Sequence, residues 1–257
     1  MILKTQNLAV LASSTSNSEV SINMKLNLFF ENTDIDKYIS VKYEDGAIYV
    51  TTDFPVKTWG TLEIQLPKNI GNFEVETSNS KCILEDLKGI ALNCSTSNGK
   101  IEIKGCTWQN MDARTNNSKI LISNSQSSYA SIDTSNGGIE LDNSAFDKLK
   151  SNTSNGSIYL NRFDSINDGE AEYMLQTSNG KIKITLPKNN SSGYSINART
   201  SLGNINIPEL EPNYIINRKN GNMRAEASVI SSNFETFAKK ILIEAVTSNS
   251  SINIAND

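Results

Sequence analysis

The chain has 257 residues, 37% of them apolar and 7% aromatic, and a formal net charge of −4. That length suits one large β-domain or solenoid, the aromatic content excludes a wide core filled by rings, and the weak acidity leaves no basic stripe for nucleic acid or an anionic membrane surface. Because the chain contains no histidine, Ser-His-Asp triads, Cys-His dyads and His-ligated zinc are excluded as well.

From the N-terminus, the apolar run at residues 1–12 is too short and too interrupted by Lys4, Gln6 and Asn7 to be a signal peptide or a membrane span. The chain as it stands is expected in the cytoplasm; a leader or anchor already removed would place it at the cell envelope. Ile39, Val41, Ile48 and Val50 flank an Asp45-Gly46 turn and predict a hairpin. Lys57-Thr58-Trp59-Gly60 followed by Leu62 and Ile64 reads as a degenerate rung, and Ile64-Gln65-Leu66-Pro67-Lys68-Asn69 recurs as Ile184-Thr185-Leu186-Pro187-Lys188-Asn189. In both copies the proline, which has no N–H for a ladder, ends a strand.

The main repeat is a tetrad at Thr77-Ser78-Asn79-Ser80, Thr96-Ser97-Asn98-Gly99, Thr115-Asn116-Asn117-Ser118, Thr134-Ser135-Asn136-Gly137 and Thr153-Ser154-Asn155-Gly156, with successive copies 19 residues apart. Further copies start at Thr177, Thr200 and Thr247, and weaker ones at Thr15 and Arg218. Five residues after each Thr stands an apolar column (Cys82, Ile101, Ile120, Ile139, Ile158, Ile182, Ile252), and two residues later a second (Leu84, Ile103, Ile122, Leu141, Leu160, Ile184, Ile254). The residue between the columns is polar in most copies, the period-2 signature of a strand with one buried face. Before the corner the alternation continues with Phe73 and Val75, Leu92 and Cys94, Met111 and Ala113. Each unit thus holds two strands, and its Asn and Gly predict a corner at positive φ.

A hairpin meander and a stacked solenoid both fit this pattern. Column identity favours the solenoid, since parallel in-register rungs put Ile over Ile and Asn over Asn. The expectation is an all-β parallel β-helix or solenoid with rungs of about 19 residues over 1–257, irregular across 1–60 and regular across 61–257 with inserted loops. A short helix is expected near Asn233–Lys240.

The Thr-Ser-Asn-Gly-x-Ile-x-Ile units, with Ile-x-Leu-Pro before the next rung, resemble the bacterial "putative adhesin" domain-of-unknown-function family from about Ile39 onward. The resemblance implies a right-handed parallel β-helix of the cell envelope or surface, and it carries no catalytic residues.

No cofactor, metal or catalytic constellation is read from the residues. The acidic loop from Asn161 to Glu172 lacks EF-hand spacing, and the remaining carboxylates read as solvated outward positions. The three cysteines have no metal-ligand spacing. Cys82 and Cys94 fall in different buried columns, which predicts no disulfide between them, whereas Cys106 lies in a loop and is expected to be the reachable thiol. Regular rungs with irregular insertions point to a non-enzymatic, adhesin-like or scaffold protein that binds a protein or an envelope glycan. The candidate loop residues are Arg162, Asp164, Asp168, Glu170, Lys188 and Asn189. The alternatives are a carbohydrate-active β-helix enzyme and a solenoid that self-assembles end to end through an open C-terminal strand at Ser251–Ile254.

Overall fold

The structure, a computed structural model, describes all residues except 28–33, 46, 55–57, 189–190, 209, 211–212 and 222–223. Asn189 therefore lies outside the described residues. The N-terminal part holds β1 (Ile2–Lys4), β2 (Leu8–Thr15), β3 (Ser21–Asn27), β4 (Ile39–Glu44), β5 (Ala47–Thr52) and β6 (Trp59–Pro67). Regular rungs follow: β7 (Asn69–Thr77) with β8 (Cys82–Glu85), β9 (Lys88–Thr96) with β10 (Ile101–Lys104), and β11 (Thr107–Thr115) with β12 (Ile120–Ser123). They continue through β13 (Gln126–Thr134) with β14 (Ile139–Asp142), β15 (Ala145–Thr153) with β16 (Ile158–Asn161), and β17 (Gly169–Thr177) with β18 (Ile182–Leu186). The C-terminal part holds β19 (Ser192–Thr200), β20 (Ile205–Asn206), β21 (Tyr214–Gly221), β22 (Arg224–Ser231), β23 (Lys239–Thr247) and β24 (Ile252–Asn256).

Among the described residues a 13-stranded sheet, the long sheet, holds the nine-residue strands of the regular rungs and an 11-stranded sheet their four- and five-residue strands, and these rungs of the β-solenoid stack in parallel as the column identity requires. Ile101 sits between Cys82 and Ile120, Ile103 between Leu84 and Ile122, and both columns are fully buried. Each isoleucine so buried contributes about 1.5–3 kcal/mol. Where the column is not uniform, sizes compensate: Gly89, Trp108, Ser127 and Phe146 stack in that order in the long sheet, and a Cβ on Gly89 would lie 2.3 Å from the Trp108 ring.

The tetrad corner works differently from its sequence reading. Its Asn and Gly do not take up positive φ; that conformation falls at the opposite corner, at Asp86, Gly105, Asn124, Asn143 and Arg162, again 19 residues apart. The tetrad glycine is there for contact instead. A Cβ on Gly156 would meet the Gly137 carbonyl oxygen at 1.6 Å, and one on Gly180 the Gly156 oxygen at 1.7 Å. The tight corner lets the Gly156 N–H donate to Thr153 Oγ1 at 3.1 Å while that hydroxyl donates to the Gly137 carbonyl at 2.9 Å. The Thr column is accordingly buried. The Asn column forms an exposed amide ladder of eight residues, Asn7, Asn79, Asn98, Asn117, Asn136, Asn155, Asn179 and Asn249, with steps of 2.6–2.9 Å.

Both ends depart from simple stacking. Along the long sheet the order is β21-β22-β19-β23-β17 at one end and β7-β1-β5-β4 at the other. The first rung, β1 and β2, is thus inserted between β7/β8 and β5/β6, and the last, β23 and β24, between β17/β18 and β19/β20. The edge expected to be open at Ser251–Ile254 is partly covered: β24 pairs with β18 along its length, and its Ile252 and Asn253 pair with β20 on the other side. The repeated Ile-x-Leu-Pro marks both places where the chain must leap over an inserted rung, about 10 Å, or two strand spacings. In each case the inserted strand ends beside the motif, Thr15 against Pro67 and Asn256 against Leu186.

The weaker tetrads at Thr15 and Arg218 are not rungs either. Thr15 leads into β3, which runs antiparallel to β6, and Arg218 lies in β21, which pairs antiparallel with β22. The hairpin geometry, rejected for the regular rungs, closes the ends. The expected hairpin about Asp45 is present as β4 and β5. The helix expected from Asn233 is a single 3-10 turn, Phe234–Thr236, because β23 begins at Lys239 and recruits the rest.

Cys106, expected to be reachable, is fully buried. It follows the positive-φ Gly105, which turns the next side chain inward in the column shared with Leu87, Ser125 and Ser144.

Candidate functional site

The outward face of the long sheet is written in rows by the register. One row reads Asn110, Tyr129, Lys148, Glu172, Leu242, Ser195, and the next reads Asp112, Ser131, Lys150, Met174, Glu244, Asn197. Over most of this face the side chains are short and polar or neutralise one another. Lys4 pairs with Glu76 at 3.0 Å, and Arg114 with Asp112 at 2.5 Å. Burial raises the pKa of Asp112, an effect that Arg114 opposes and neighbouring Asp133 reinforces.

Between β13 and β19 the face changes character and encloses a groove of about 500 Å³. Tyr129 and Met174 present apolar surface that is 45% and 41% exposed, and half-buried Leu242 lies beside them. Short Ser195 and Asn197 on β19 leave depth next to these larger groups. Four of the charged lining residues pair across strands, Lys148 with Glu172 at 3.5 Å and Arg199 with Glu244 at 3.5 Å, and Lys150 lies beside them. Such a trough, apolar along its floor and bordered by hydrogen-bonding groups, can hold an extended chain with both apolar and polar edges.

The loop residues expected from the sequence do not converge on this groove. Arg162 donates to Asp142 (Nε to Oδ1, 3.1 Å), and that carboxylate raises the guanidinium pKa. Asp164 accepts from Ser192 Oγ at 2.7 Å and from Lys239 Nζ at 3.3 Å, so it ties the loop to β19 and β23. These two residues share a shallow cleft of about 280 Å³ with Asn124 and Asn143. Asp168, Glu170 and Lys188 are exposed, and Asp168 and Glu170 sit at the start of β17, the strand that carries Glu172 and Met174 to the groove. Asp147 of β15 holds the loop from beside it, accepting from the N–H groups of Ile166 and Asn167 at 3.2 and 3.1 Å. Among the described residues no three Asp, Glu, Cys or His side chains gather as a metal site, and no helix is long and apolar enough to cross a membrane.

Tyr129, Met174 and Leu242 were missed by the sequence reading. Their signal was parity, since each is an apolar residue at an outward position of a strand whose inward set is already complete.

The sequence matches the Toastrack DUF4097 family over residues 3–234, and the chain belongs to that family. The resemblance read from the rungs and the Ile-x-Leu-Pro segments therefore holds, and the matched stretch stops short of β23 and β24. Among solved structures, one described as a "putative adhesin" from Bacteroides fragilis NCTC 9343 is 10% identical, covering 99% of this chain and 91% of that chain with a TM-score of 0.47. Another, described as a "putative cell adhesion protein" from Clostridium sporogenes ATCC 15579, is 11% identical, covering 100% and 92% with a TM-score of 0.22. No curated protein matches the sequence.

Proposed function

We propose that the protein is a non-enzymatic, adhesin-like binding scaffold that holds an extended segment of a protein or an envelope glycan in the groove on its long sheet. The observation that supports this reading is the groove itself, where apolar Tyr129, Met174 and Leu242 lie together beside cross-strand ion pairs. The loop at 161–168 leads into β17, the strand that carries Glu172 and Met174 to the trough, and takes part in selecting among ligands.

The test is binding to a glycan array and to envelope extract, with wild type compared against Tyr129→Ala/Met174→Glu. The expected result is a ligand retained by wild type and weakened at least about 10-fold by the double variant, in line with the loss of central apolar anchors. Equal binding by both proteins would remove the groove from the account. Polysaccharide cleavage that vanishes when one acidic cluster is neutralised would put an enzyme in place of the scaffold.

A further inference from the structure

We propose that Cys82 and Cys94 are the two halves of a latent disulfide that staples one sheet of the solenoid to the other. The sequence placed them in different columns, which is correct, but the two columns face each other across the core. Their sulfurs are 3.1 Å apart, about 1 Å more than the ~2.05 Å of a disulfide, and both residues are fully buried.

The column of Cys94 is mixed (Val75, Ala113, Ile132, Ser151), so the departure that argues for a pair is that of Cys82. The column of Cys82 is otherwise isoleucine through Ile101, Ile120, Ile139, Ile158, Ile182 and Ile252. Cysteine stands there once, and the residue its sulfur meets on the facing sheet, at the start of the next rung, is also cysteine. The staple would join β8 to β9 where the inserted N-terminal rung meets the regular stack, since β8 pairs with both β2 and β10. Cys106 is not part of it, because its sulfur is directed to the carbonyls of Lys104 at 3.4 Å and Leu84 at 3.6 Å.

The oxidant is a low-molecular-weight disulfide. One cysteine thiolate attacks it, giving a mixed disulfide and releasing one small thiol; the other cysteine then displaces the second small thiol and closes the protein S–S bond. Two protein thiols are oxidised, one small disulfide is reduced, and the two protons end on the released thiols. The Cys94 contact and burial raise the pKa of Cys82, so the folded core resists this exchange and the bond forms while the core is still open. Its presence would mark chains that folded in an oxidising compartment.

The experiment is refolding of Cys106→Ser and wild type in oxidised and reduced glutathione, followed by thiol counting on the denatured chain and intact mass. Expected in the oxidised buffer are no free thiols in Cys106→Ser and one in wild type, with a mass lower by two hydrogens and no glutathione adduct. The oxidised form should melt on the order of 5–10 °C higher than the reduced form. Cys94→Ala, which places in that column the residue found at Ala113, should fold and lose this shift. Two free thiols in oxidised Cys106→Ser, glutathione adducts in place of the bridge, or a disulfide that lowers the melting temperature would overturn the proposal.

Discussion

The middle of the solenoid and its two ends use the same rung but lay it down in different orders. From β7 to β18 each rung stacks on its predecessor, and partner residues are 19–24 apart in sequence. At the ends a rung made far away in the chain is inserted: Ile2 pairs with Glu74, and Thr177 with Thr247. Closing such long loops costs more chain entropy, so the middle can form from near-neighbour contacts while the ends wait for the termini to return. Regularity in sequence thus reports local assembly, and its loss reports insertion rather than disorder.

Deletions separate the two regions most sharply. Removing residues 97–134, 38 in all, joins Thr96 to Ser135, restores a Thr-Ser-Asn-Gly corner and leaves Gly89 beneath Phe146, preserving the size alternation. A shorter protein that still unfolds cooperatively is expected by circular dichroism and calorimetry. Removing only residues 239–257, half as many, takes away a rung with neighbours on both sides and strips cover from the cores of β17/β18 and β19/β20. Loss of the cooperative transition is expected there. Equal tolerance of the two deletions would refute the distinction between stacked and inserted rungs.

Glycine substitutions test the corner inside the regular stack. Gly156→Ala drives a methyl into the Gly137 carbonyl and should cost about 3 kcal/mol by chemical denaturation. Gly71→Ala, where an added Cβ meets nothing within 4 Å, should stay within about 0.5 kcal/mol of wild type. Ser80 and Ser118 occupy the same corner position in other rungs, and a cost for Gly156→Ala as small as that for Gly71→Ala would show that every corner can open as theirs do.

At the boundary between the regions, the spacing from Thr153 to Thr177 widens to 24 residues and Tyr173 fastens the inserted loop. Its hydroxyl accepts from the Phe146 N–H at 3.0 Å and donates to the Asp164 carbonyl at 2.5 Å, and burial raises its pKa. Tyr173→Phe removes the hydroxyl shared by the Phe146 N–H and the Asp164 carbonyl, which still bond each other at 3.1 Å, and should cost about 1 kcal/mol. Hydrogen exchange should rise first at residues 161–168 if the bond holds the loop; unchanged exchange there would assign the tyrosine to packing alone.

What was legible in the sequence follows the same division. The two Ile columns, the Asn ladder and the buried Thr hydroxyls could be read because parallel stacking repeats one environment, so one residue type satisfies each position again and again. The insertion of both terminal rungs was written only in the duplicated Ile-x-Leu-Pro segment, whose proline says that a strand stops but not where the chain goes next. The N-terminal rung hides its corner in Thr5-Gln6-Asn7-Leu8, which keeps the Thr and the Asn while losing Ser and Gly. The groove escaped notice because outward positions in a solenoid carry no packing constraint, and an outward Tyr129 or Met174 looks like ordinary variation until neighbouring rungs place them side by side. Cys82 and Cys94 show that a column assignment fixes the wall a residue stands on, not what it faces.

The smallest expected effect concerns the Asn ladder, which crosses both regions because Asn7 and Asn249 come from the inserted rungs. Asn136→Ala removes the bonds to Asn117 and Asn155 from an exposed position, and should cost about 1 kcal/mol since water replaces part of what is lost. The ladder stops at Leu202, which occupies the Asn position of the next rung and is 68% exposed. Its N–H already donates to the Ser248 carbonyl at 2.8 Å, so the backbone is in register and only the side chain is wrong for another step. Leu202→Asn should therefore gain about 0.5 kcal/mol by extending the amide chain from Asn249. A gain seen with Leu202→Ser as well would trace it to removing an exposed leucine; a gain confined to Asn would show that the ladder propagates across an inserted rung as readily as through the stacked ones.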